Sequence, residues 1–437
     1  MRAIALRYNQ TTIVLASIDC IGYFLDDVDR VRARVADLDI DYVAIGATHT
    51  HEARDTMGIW GVDESSSGVD QAYMDAIEAQ AAMAIRQAVA DLRIARVQYA
   101  ATRLADAPGG ARRYVSDSRD PWIVDDELRL MRFEDAATNQ TIATLVNWSS
   151  HPQYLGDSNQ LLSSDFVHWL REGVEHGVMG PDGMVTGIGG IAVFFNGAVG
   201  CQIGNERMEA QTWDAQPLER FGVETARVVG EQVAYFALQA LGPTGGSVTD
   251  DTASLGFRNR RFDIDVENRG FHIAIIQELF ATRATYNWDT EQPLVPGRNE
   301  PDIRTEVGVI DIGRASLLTI PGELDPALFV GGYDGAFTPD GVDIVNLTLE
   351  NPPDLAAAPD PPYLRERVRQ DAEYVFLLGL TNDEIGYFVP EFDYELSTSN
   401  PYIDDAPGDH YEETVSVGID GWPRVKRELE ALLAWQP

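Results

Sequence analysis

Short β-branched runs alternate with helical stretches over the first half of this chain. Residues 12–17 (TIVLAS) and 42–47 (YVAIGA) have the composition of buried strands, and residues 26–38 between them repeat valine and leucine at helical spacing. A strand, a helix and a second strand in this order form a β-α-β unit, in which the two strands run parallel. The alternation therefore predicts an α/β fold with a mixed, largely parallel central sheet flanked by helices.

The same periodicities locate further elements along the chain. They predict helices at 68–92, 165–176, 217–241 and 423–434. They predict strands at 96–103, 127–133, 141–147, 191–196, 252–266, 305–312, 316–320 and 374–380. A glycine-rich loop is expected at 180–190, and the proline-rich segment 351–362 indicates an exposed loop. We find no internal repeat and no second hydrophobic unit, so we expect a single domain over residues 1–437.

The charge balance excludes several classes of partner. The 437 residues carry 33 basic and 70 acidic side chains, for a net charge of −37, which repels nucleic acid and anionic lipid surfaces. No apolar run reaches the ~20 residues of a membrane-spanning helix, so stable membrane insertion is not expected. Only one basic residue, Lys426, is a lysine. This composition suits either adaptation to high salt or an arginine-biased genome, and both interpretations stay open.

The N-terminal segment has no basic stretch followed by an apolar one, as a secretory signal requires. We therefore expect a cytoplasmic protein, or a secreted one if the natural start lies upstream. The two cysteines, Cys20 and Cys201, are too few for a disulfide framework or a thiolate zinc site. Any metal would have to be held by histidine and carboxylate side chains.

Three histidines and one carboxylate follow the ends of predicted strands. His49 and His51 come after the strand at 42–47, His151 after the strand at 141–147, and Glu323 after a Pro-Gly turn that ends the strand at 316–320. If the first strand continues, residues two apart project from one face, so both imidazoles would point the same way. Ligand sites of open α/β sheets lie at the carboxyl ends of strands, on long loops. Such a set matches a catalytic zinc site with a position open for water, although each histidine taken alone is better explained as a hydrogen-bonded loop residue.

Other polar residues have more ordinary interpretations. The remaining histidines with a clear pattern, His168, His176 and His272, lie in predicted helices or strands and are expected to be structural or exposed. Asp165 or Asp41 is a candidate acceptor that would orient a ligand imidazole. Asp165 is equally suited to cap the helix that it opens.

The segment ATHTH at 47–51 resembles the ATHTHSGP segment of the neutral (or alkaline), non-lysosomal ceramidases, which are zinc-dependent amidases that cleave the N-acyl bond of ceramide. Six further segments resemble that family in the same order. They are NWSSHPQYL around His151, LLSSDFVHWLREGVE after it, FFNGAVGCQIGN at 194–205, LLTIPGE at 317–323, GLTNDEIGYF at 379–388 and HYEETVS at 410–416. The resemblance covers nearly the whole chain and implies a divergent ceramidase-like catalytic domain with Zn²⁺ as cofactor.

The resemblance also implies roles for individual residues. The zinc ligands of the family fall on His49, His151, Glu323 and Tyr387. Two residues, His51 and Tyr411, fall on groups that hold the oxygen of the scissile carbonyl. The family also uses an arginine near the site, for which Arg119 and Arg113 are both candidates.

Three features depart from the family pattern. Cys201 stands where the ceramidases have a serine beside the metal, and we consider it either a catalytic thiol or a packing residue. The segment 52–54 (EAR) and the nearby Trp60 predict a more polar pocket mouth with Trp60 in contact with substrate. The family's C-terminal immunoglobulin-like domain and its N-terminal DITPP segment have no counterpart here, so the true N-terminus is open. We therefore expect zinc-dependent hydrolysis, by metal-activated water, of a small or lipid-like N-acyl substrate, the alternatives being an esterase or lactonase, or a non-catalytic metal-binding relative.

Overall fold

A computed structural model describes residues 1–63, 65–203 and 207–435 of the chain. The helices are α1 (Leu25–Arg34), α2 (Gln71–Ala90), α3 (Phe166–His176), α4 (Val223–Leu241), α5 (Arg269–Ile276), α6 (Pro326–Val330) and α7 (Gly421–Ala434). The strands are β1 (Arg2–Tyr8), β2 (Thr11–Ile18), β3 (Tyr42–Ala47), β4 (Ala95–Arg103), β5 (Glu127–Asp135), β6 (Thr141–Trp148), β7 (Gly177–Gly180), β8 (Gly183–Thr186), β9 (Ile191–Asn196), β10 (Val248–Asp250), β11 (Leu255–Asp265), β12 (Thr285–Tyr286), β13 (Asp302–Ile312), β14 (Ala315–Thr319), β15 (Glu323–Leu324), β16 (Tyr374–Leu378) and β17 (Tyr387–Phe388).

These strands form three larger sheets and two short pairs. The first sheet has the order β1-β2-β3, the second β10-β4-β5-β6-β9, and the third β11-β13-β14-β16 with β12 beside β13. The pairs are β7-β8 and β15-β17. The predicted unit of β2, α1 and β3 is confirmed, because β2 and β3 are parallel neighbours.

The α/β class is confirmed, but a largely parallel central sheet is not found. Among the described residues, four of the twelve strand pairings are parallel, namely β2-β3, β6-β9, β14-β16 and β15-β17. The physical reason is the short connections. Strands β13 and β14 are joined by two residues, Gly313 and Arg314, and a parallel pairing needs a crossover of a dozen residues or more.

The sheets pack face to face between outer helices. Alternate residues of β2 enter different cores, since Ile13 and Leu15 pack in the central one and Val14 and Ala16 pack under α1 and α2. All three larger sheets contribute to the central core, while α3 and α4 cover the outer face of the second sheet and α7 covers the third. The site described below lies where strands of these layers end.

Several elements differ from the sequence-based expectations. Strand β1 was not expected, and it pairs along its whole length with β2 across a turn at Asn9, whose φ is 53°. The glycine-rich loop contains the hairpin β7-β8, and α5 lies between the strands predicted at 252–266 and 305–312, where no element bounds were predicted. Helix α4 begins at Val223 and not at residue 217, because the preceding Gly222 has a φ of 138°, which no helix contains. None of the described helices is long and apolar enough to cross a bilayer.

Candidate metal centre and its cavity

His49 and His151 lie in the loops that follow β3 and β6, and Asn196 at the end of β9 joins these loops. The Asn196 amide nitrogen donates to the carbonyl oxygens of Thr48 (3.2 Å) and Ser150 (2.9 Å), and its oxygen accepts from the Ser150 amide (3.1 Å). All of these groups are buried. Asn196 was not among the predicted site residues. Its position at the carboxyl end of a parallel strand, where ligand sites lie, could have been used to predict it.

His49 and His51 come together in a different way from the one expected. Strand β3 ends at Ala47, and His49 has a φ of 68°, in the left-handed region that few residues other than glycine adopt. The two imidazoles nevertheless meet edge to face, with ring centroids 5.0 Å apart, and the His151 ring lies 4.7 Å from that of His49. The turn at His49 therefore brings the two imidazoles together, where a continuing strand had been expected to do so. Backbone strain of this kind is concentrated at functional sites.

Glu323 and Tyr387 face each other across the short parallel pair of β15 and β17. Gly386, directly before Tyr387, has a φ of 90°, and a Cβ atom there would lie 1.9 Å from the Val415 carbonyl oxygen. Only glycine fits this close approach. The approach brings the segment that carries Tyr411 next to Tyr387, and the two tyrosine rings lie 5.9 Å apart.

The polar atoms of four side chains converge. Glu323 Oε2 lies 3.1 Å from His49 Nε2 and 2.9 Å from His151 Nε2, and the Tyr387 hydroxyl lies 3.3 Å from His151 Nε2. Ring nitrogens of His49, His51 and His151 all lie within 4.8 Å of one another. The structure thus brings together the four residues that the resemblance assigned to zinc, with His51 beside them.

The ring tautomers make this convergence suitable for a cation. His49 Nδ1 donates to the Ile21 carbonyl (2.6 Å) and His151 Nδ1 to the Gln202 carbonyl (3.2 Å). In the neutral rings, each Nε2 therefore presents a lone pair to the Glu323 carboxylate. The atoms His49 Nε2, His51 Nε2 and Glu323 Oε2 are buried and make no hydrogen bond of acceptable geometry. A metal ion would satisfy His49 Nε2 and Glu323 Oε2 at once, next to His151 Nε2, so this ligand set fits Zn²⁺.

Main-chain carbonyls, and not carboxylates, orient these imidazoles. Asp165 caps α3 through the Phe166 amide (2.6 Å) and also accepts from the Leu155 amide (2.8 Å). Asp41 accepts from the Thr12 amide (2.8 Å), at the far end of the strand. Of the two interpretations of Asp165, the structure favours the helix cap.

Burial and the Glu323 charge set the ionisation of the centre. Burial lowers the pKa of His151, and for His51 burial together with the neighbouring imidazoles lowers the pKa well below its ordinary value. Burial alone would also lower the pKa of His49, but the negative charge of the Glu323 carboxylate outweighs this effect and raises it. Burial favours the neutral form of Glu323 as well, but the two imidazoles outweigh it and lower its pKa. Burial and the Glu323 charge raise the pKa of Tyr387 well above the ordinary value.

A cavity of about 290 Å³ adjoins the centre. Its wall is formed by apolar side chains together with the polar residues of the site: Ile21, Phe24, Met57, Ile59, Trp60, Val266, Phe271, Ile275, Phe280, Ile303, Ile385 and Val415, with His49, His51, Arg283, Glu323, Glu384, Gly386, Tyr387 and Tyr411. Trp60 is 41% exposed, with its ring 6.1 Å from that of His51, and Tyr411 is 46% exposed. Both residues are therefore accessible from solvent at the cavity.

Neither candidate arginine lines this cavity. Arg119 is buried and bonds to Asp393, Glu412 and Glu413, and it also donates to the Asp409 carbonyl and contacts His410 Nδ1. All of these partners except Asp393 flank Tyr411 in sequence, so Arg119 holds the segment that carries Tyr411 and does not itself line the cavity. Arg113 donates to the carbonyls of Gln211 and Thr212, on another part of the molecule.

Two polar residues of the wall, Arg283 and Glu384, were not predicted. Burial, followed by the charge of Glu323, raises the pKa of Glu384 well above its ordinary value. Glu384 lies three residues before Tyr387, and this nearness to a residue assigned to zinc could have marked it as a candidate for the site. Arg283 comes from a loop after α5, a region without any recognised motif.

Cys201 is fully buried outside the cavity wall. Its thiol donates to Asp325 Oδ2 (3.2 Å), and burial, followed by the negative charges of Glu412, Asp325 and Asp117, raises its pKa well above the ordinary value. Because the thiolate is the reactive form, this environment favours the packing interpretation over a catalytic thiol. The last two residues of the segment at 194–205 lie outside the described part of the chain.

Two other features are separate from the centre at His49, His151 and Glu323. A cavity of about 860 Å³ runs along β1, and its wall contains none of the histidines among the described residues. Glu172, Glu175 and His176 form a second group of possible ligands on α3, but Glu175 is already paired with Arg2. Neither feature shares the convergence of buried acceptors seen at His49.

Comparison with known proteins identifies the fold. No family model matches the sequence, and no curated protein matches it. Among solved structures, the neutral ceramidase from Pseudomonas aeruginosa superposes with a TM-score of 0.63 at 14% identity, over 97% of this chain and 66% of that one. A structure described as a ceramidase complexed with C2 gives a TM-score of 0.60 at 13% identity, over 97% and 67% of the two chains. The chain therefore has the ceramidase fold and spans about two thirds of the length of these ceramidases.

Proposed function

We propose, from the ceramidase fold and the convergence at His49, that the protein is a zinc-dependent hydrolase that cleaves a linear amide (N-acyl) bond. The observation that carries the proposal is the approach of His49 Nε2 and His151 Nε2 to one carboxylate oxygen of Glu323, at 3.1 and 2.9 Å, while both rings direct Nδ1 at main-chain carbonyls. Buried acceptors without a donor destabilise a folded protein unless a ligand satisfies them.

His49, His151 and Glu323 would hold the zinc, with the Tyr387 hydroxyl as the fourth group. Zinc, when bound, supplies a Lewis acid that polarises a carbonyl and lowers the pKa of water to about 7. Two neutral imidazoles and one carboxylate leave such a site with a net positive charge. The carbonyls of Ile21 and Gln202 keep both rings in the ligating tautomer.

His51 and Tyr411 would hold the oxygen of the scissile carbonyl. The low pKa of His51 keeps its imidazole neutral, so the ring has one N–H donor to offer and adds no charge beside the metal. The Tyr411 hydroxyl is a second donor on the cavity wall, since a phenol is protonated at neutral pH. Donors fixed where negative charge develops stabilise the transition state of acyl transfer.

The cavity supports an N-acyl substrate with an apolar part. Isoleucine, phenylalanine, valine and methionine side chains form most of its wall, next to the proposed metal ligands. The net charge of −37 counts against a substrate presented on an anionic membrane. We therefore propose a small or lipid-like N-acyl substrate that reaches the site from solution.

Hydrolysis of paired N-acyl and O-acyl substrates tests the reaction. We expect cleavage of the amides by the zinc-loaded protein, loss of cleavage in the His49→Ala variant, and normal cleavage in a control, His168→Ala, whose residue is exposed on α3. Hydrolysis of esters only would establish an esterase. Stoichiometric metal binding without turnover of either series would establish a metal-binding protein.

A further inference from the structure

Two buried polar side chains interrupt the apolar wall of the cavity beside the metal centre. Arg283 and Glu384 both line the cavity, and each side chain is about 3% exposed. Phe24, Ile275 and Phe280 are among the apolar residues that share this wall. A cavity that binds only an alkyl chain would not be expected to contain a guanidinium and a carboxyl group, because burying polar groups is unfavourable unless they are paired.

Both side chains are held in place, yet each keeps one atom without a hydrogen bond. The terminal nitrogens of Arg283 bind both carboxylate oxygens of Asp383, and its guanidinium lies 4.8 Å above the Phe24 ring. Glu384 Oε1 accepts from the Gly386 amide at 2.8 Å. Arg283 Nε and Glu384 Oε2 are buried and have no hydrogen-bond partner.

The chemistry of these two atoms limits what can satisfy them. Arg283 Nε is a donor only, whereas Glu384 Oε2 accepts when the carboxyl group is ionised and can also donate when it is protonated. An alkyl chain pairs with neither atom. A carboxylate would be repelled by the ionised Glu323, and an ammonium group cannot accept from Arg283. A hydroxyl group can pair with either atom, since it both donates and accepts.

We propose that this cavity selects an acyl chain that bears a hydroxyl group over an unsubstituted chain of the same length. The inference rests on the proposed function only for the placement of the scissile bond at the metal centre. A site built to hydrogen-bond a substrate hydroxyl discriminates against the analogue without it, because the partners of the missing group stay unpaired.

The test compares p-nitroanilides of octanoic acid and of 2-, 5- and 8-hydroxyoctanoic acid. We expect at least one hydroxylated substrate to exceed the octanoyl substrate in kcat/KM by about tenfold or more. The Glu384→Leu variant should lose most of this preference and gain activity on the octanoyl substrate. Ile275→Val, a nonpolar change in the same wall, is the control and should alter all four substrates alike. Equal kcat/KM for all four substrates in the unmodified protein would overturn the proposal.

Binding without turnover separates this inference from the proposed function. Calorimetric titration with octanoate and the three hydroxyoctanoates should show the same order of preference. Preferential binding of a hydroxyoctanoate without hydrolysis of any anilide would keep the hydroxyl site and overturn the proposed reaction. Hydrolysis without preference would do the reverse. If circular dichroism shows that Glu384→Leu does not fold, Glu384→Met makes the same comparison with a more flexible side chain.

Discussion

Replacing Glu323 by glutamine should remove most of the stabilisation that zinc gives the protein. The carboxylate oxygen that approaches both His49 Nε2 and His151 Nε2 becomes part of a neutral amide of the same size. Loss of an outer-sphere partner of a metal ligand weakens binding by about 10- to 100-fold, so loss of a charged ligand should reach at least about 100-fold. At a fixed free zinc concentration well above the dissociation constant, a 100-fold weakening removes about 2.7 kcal/mol of stabilisation.

The expected thermal shift follows from the length of the chain. With about 2.1 cal/mol/K of unfolding entropy per residue, 437 residues give about 0.9 kcal/mol/K. The loss of about 2.7 kcal/mol therefore corresponds to a Tm about 3 °C lower in zinc. The assay is calorimetric unfolding of both proteins with and without zinc at the same free concentration. Comparing the zinc-induced shift within each protein cancels any effect of the substitution on the metal-free fold. An equal shift in both proteins would refute the assignment of Glu323 as a ligand.

Three further predictions concern residues around the centre. Tyr411→Phe removes one proposed oxyanion donor, so kcat/KM should fall by about 100-fold while zinc content stays the same; an unchanged rate would exclude the tyrosine from that role. Arg119→Met leaves the buried carboxylates of Asp393, Glu412 and Glu413 uncompensated and should lower the free energy of unfolding in urea by about 3–5 kcal/mol, with a loss of activity that Arg113→Met does not share. Equal effects of the two substitutions on stability and activity would contradict the proposed role of Arg119 in holding the segment that carries Tyr411. Burial raises the pKa of Asp165 from 3.8 to about 7, so its contribution to stability is present below pH 3.8 and is lost as the pH rises through about 7. Asp165→Asn keeps a capping side chain and should flatten the stability profile over that interval, and a profile as steep as that of the unmodified protein would show that another group is responsible.

The sequence predicted the positions of many elements but not how they pair. The strands at 42–47 and 191–196 were placed to the residue, because runs of buried apolar residues have a clear period. The direction of pairing depends on connections, and the two-residue link between β13 and β14 was available as a signal of antiparallel pairing.

In the candidate site too, some residues could be predicted from the sequence and others could not. His49, His151 and Glu323 could be predicted to meet, since ligand sites lie at the carboxyl ends of strands. The arginine of the cavity wall could not be predicted. The sequence pointed to Arg119 and Arg113 and not to Arg283, since only the packing of distant loops puts Arg283 in the wall and Arg119 next to the segment of Tyr411.

Elemental analysis coupled to hydrolysis assays tests the central claim most directly. Purified protein should contain one zinc per chain, lose both the zinc and the cleavage of N-acyl substrates on chelation, and regain both when zinc is returned. The double variant His49→Ala, His151→Ala should retain neither zinc nor activity. Full activity of the metal-free protein, or one zinc per chain in the double variant, would contradict the account.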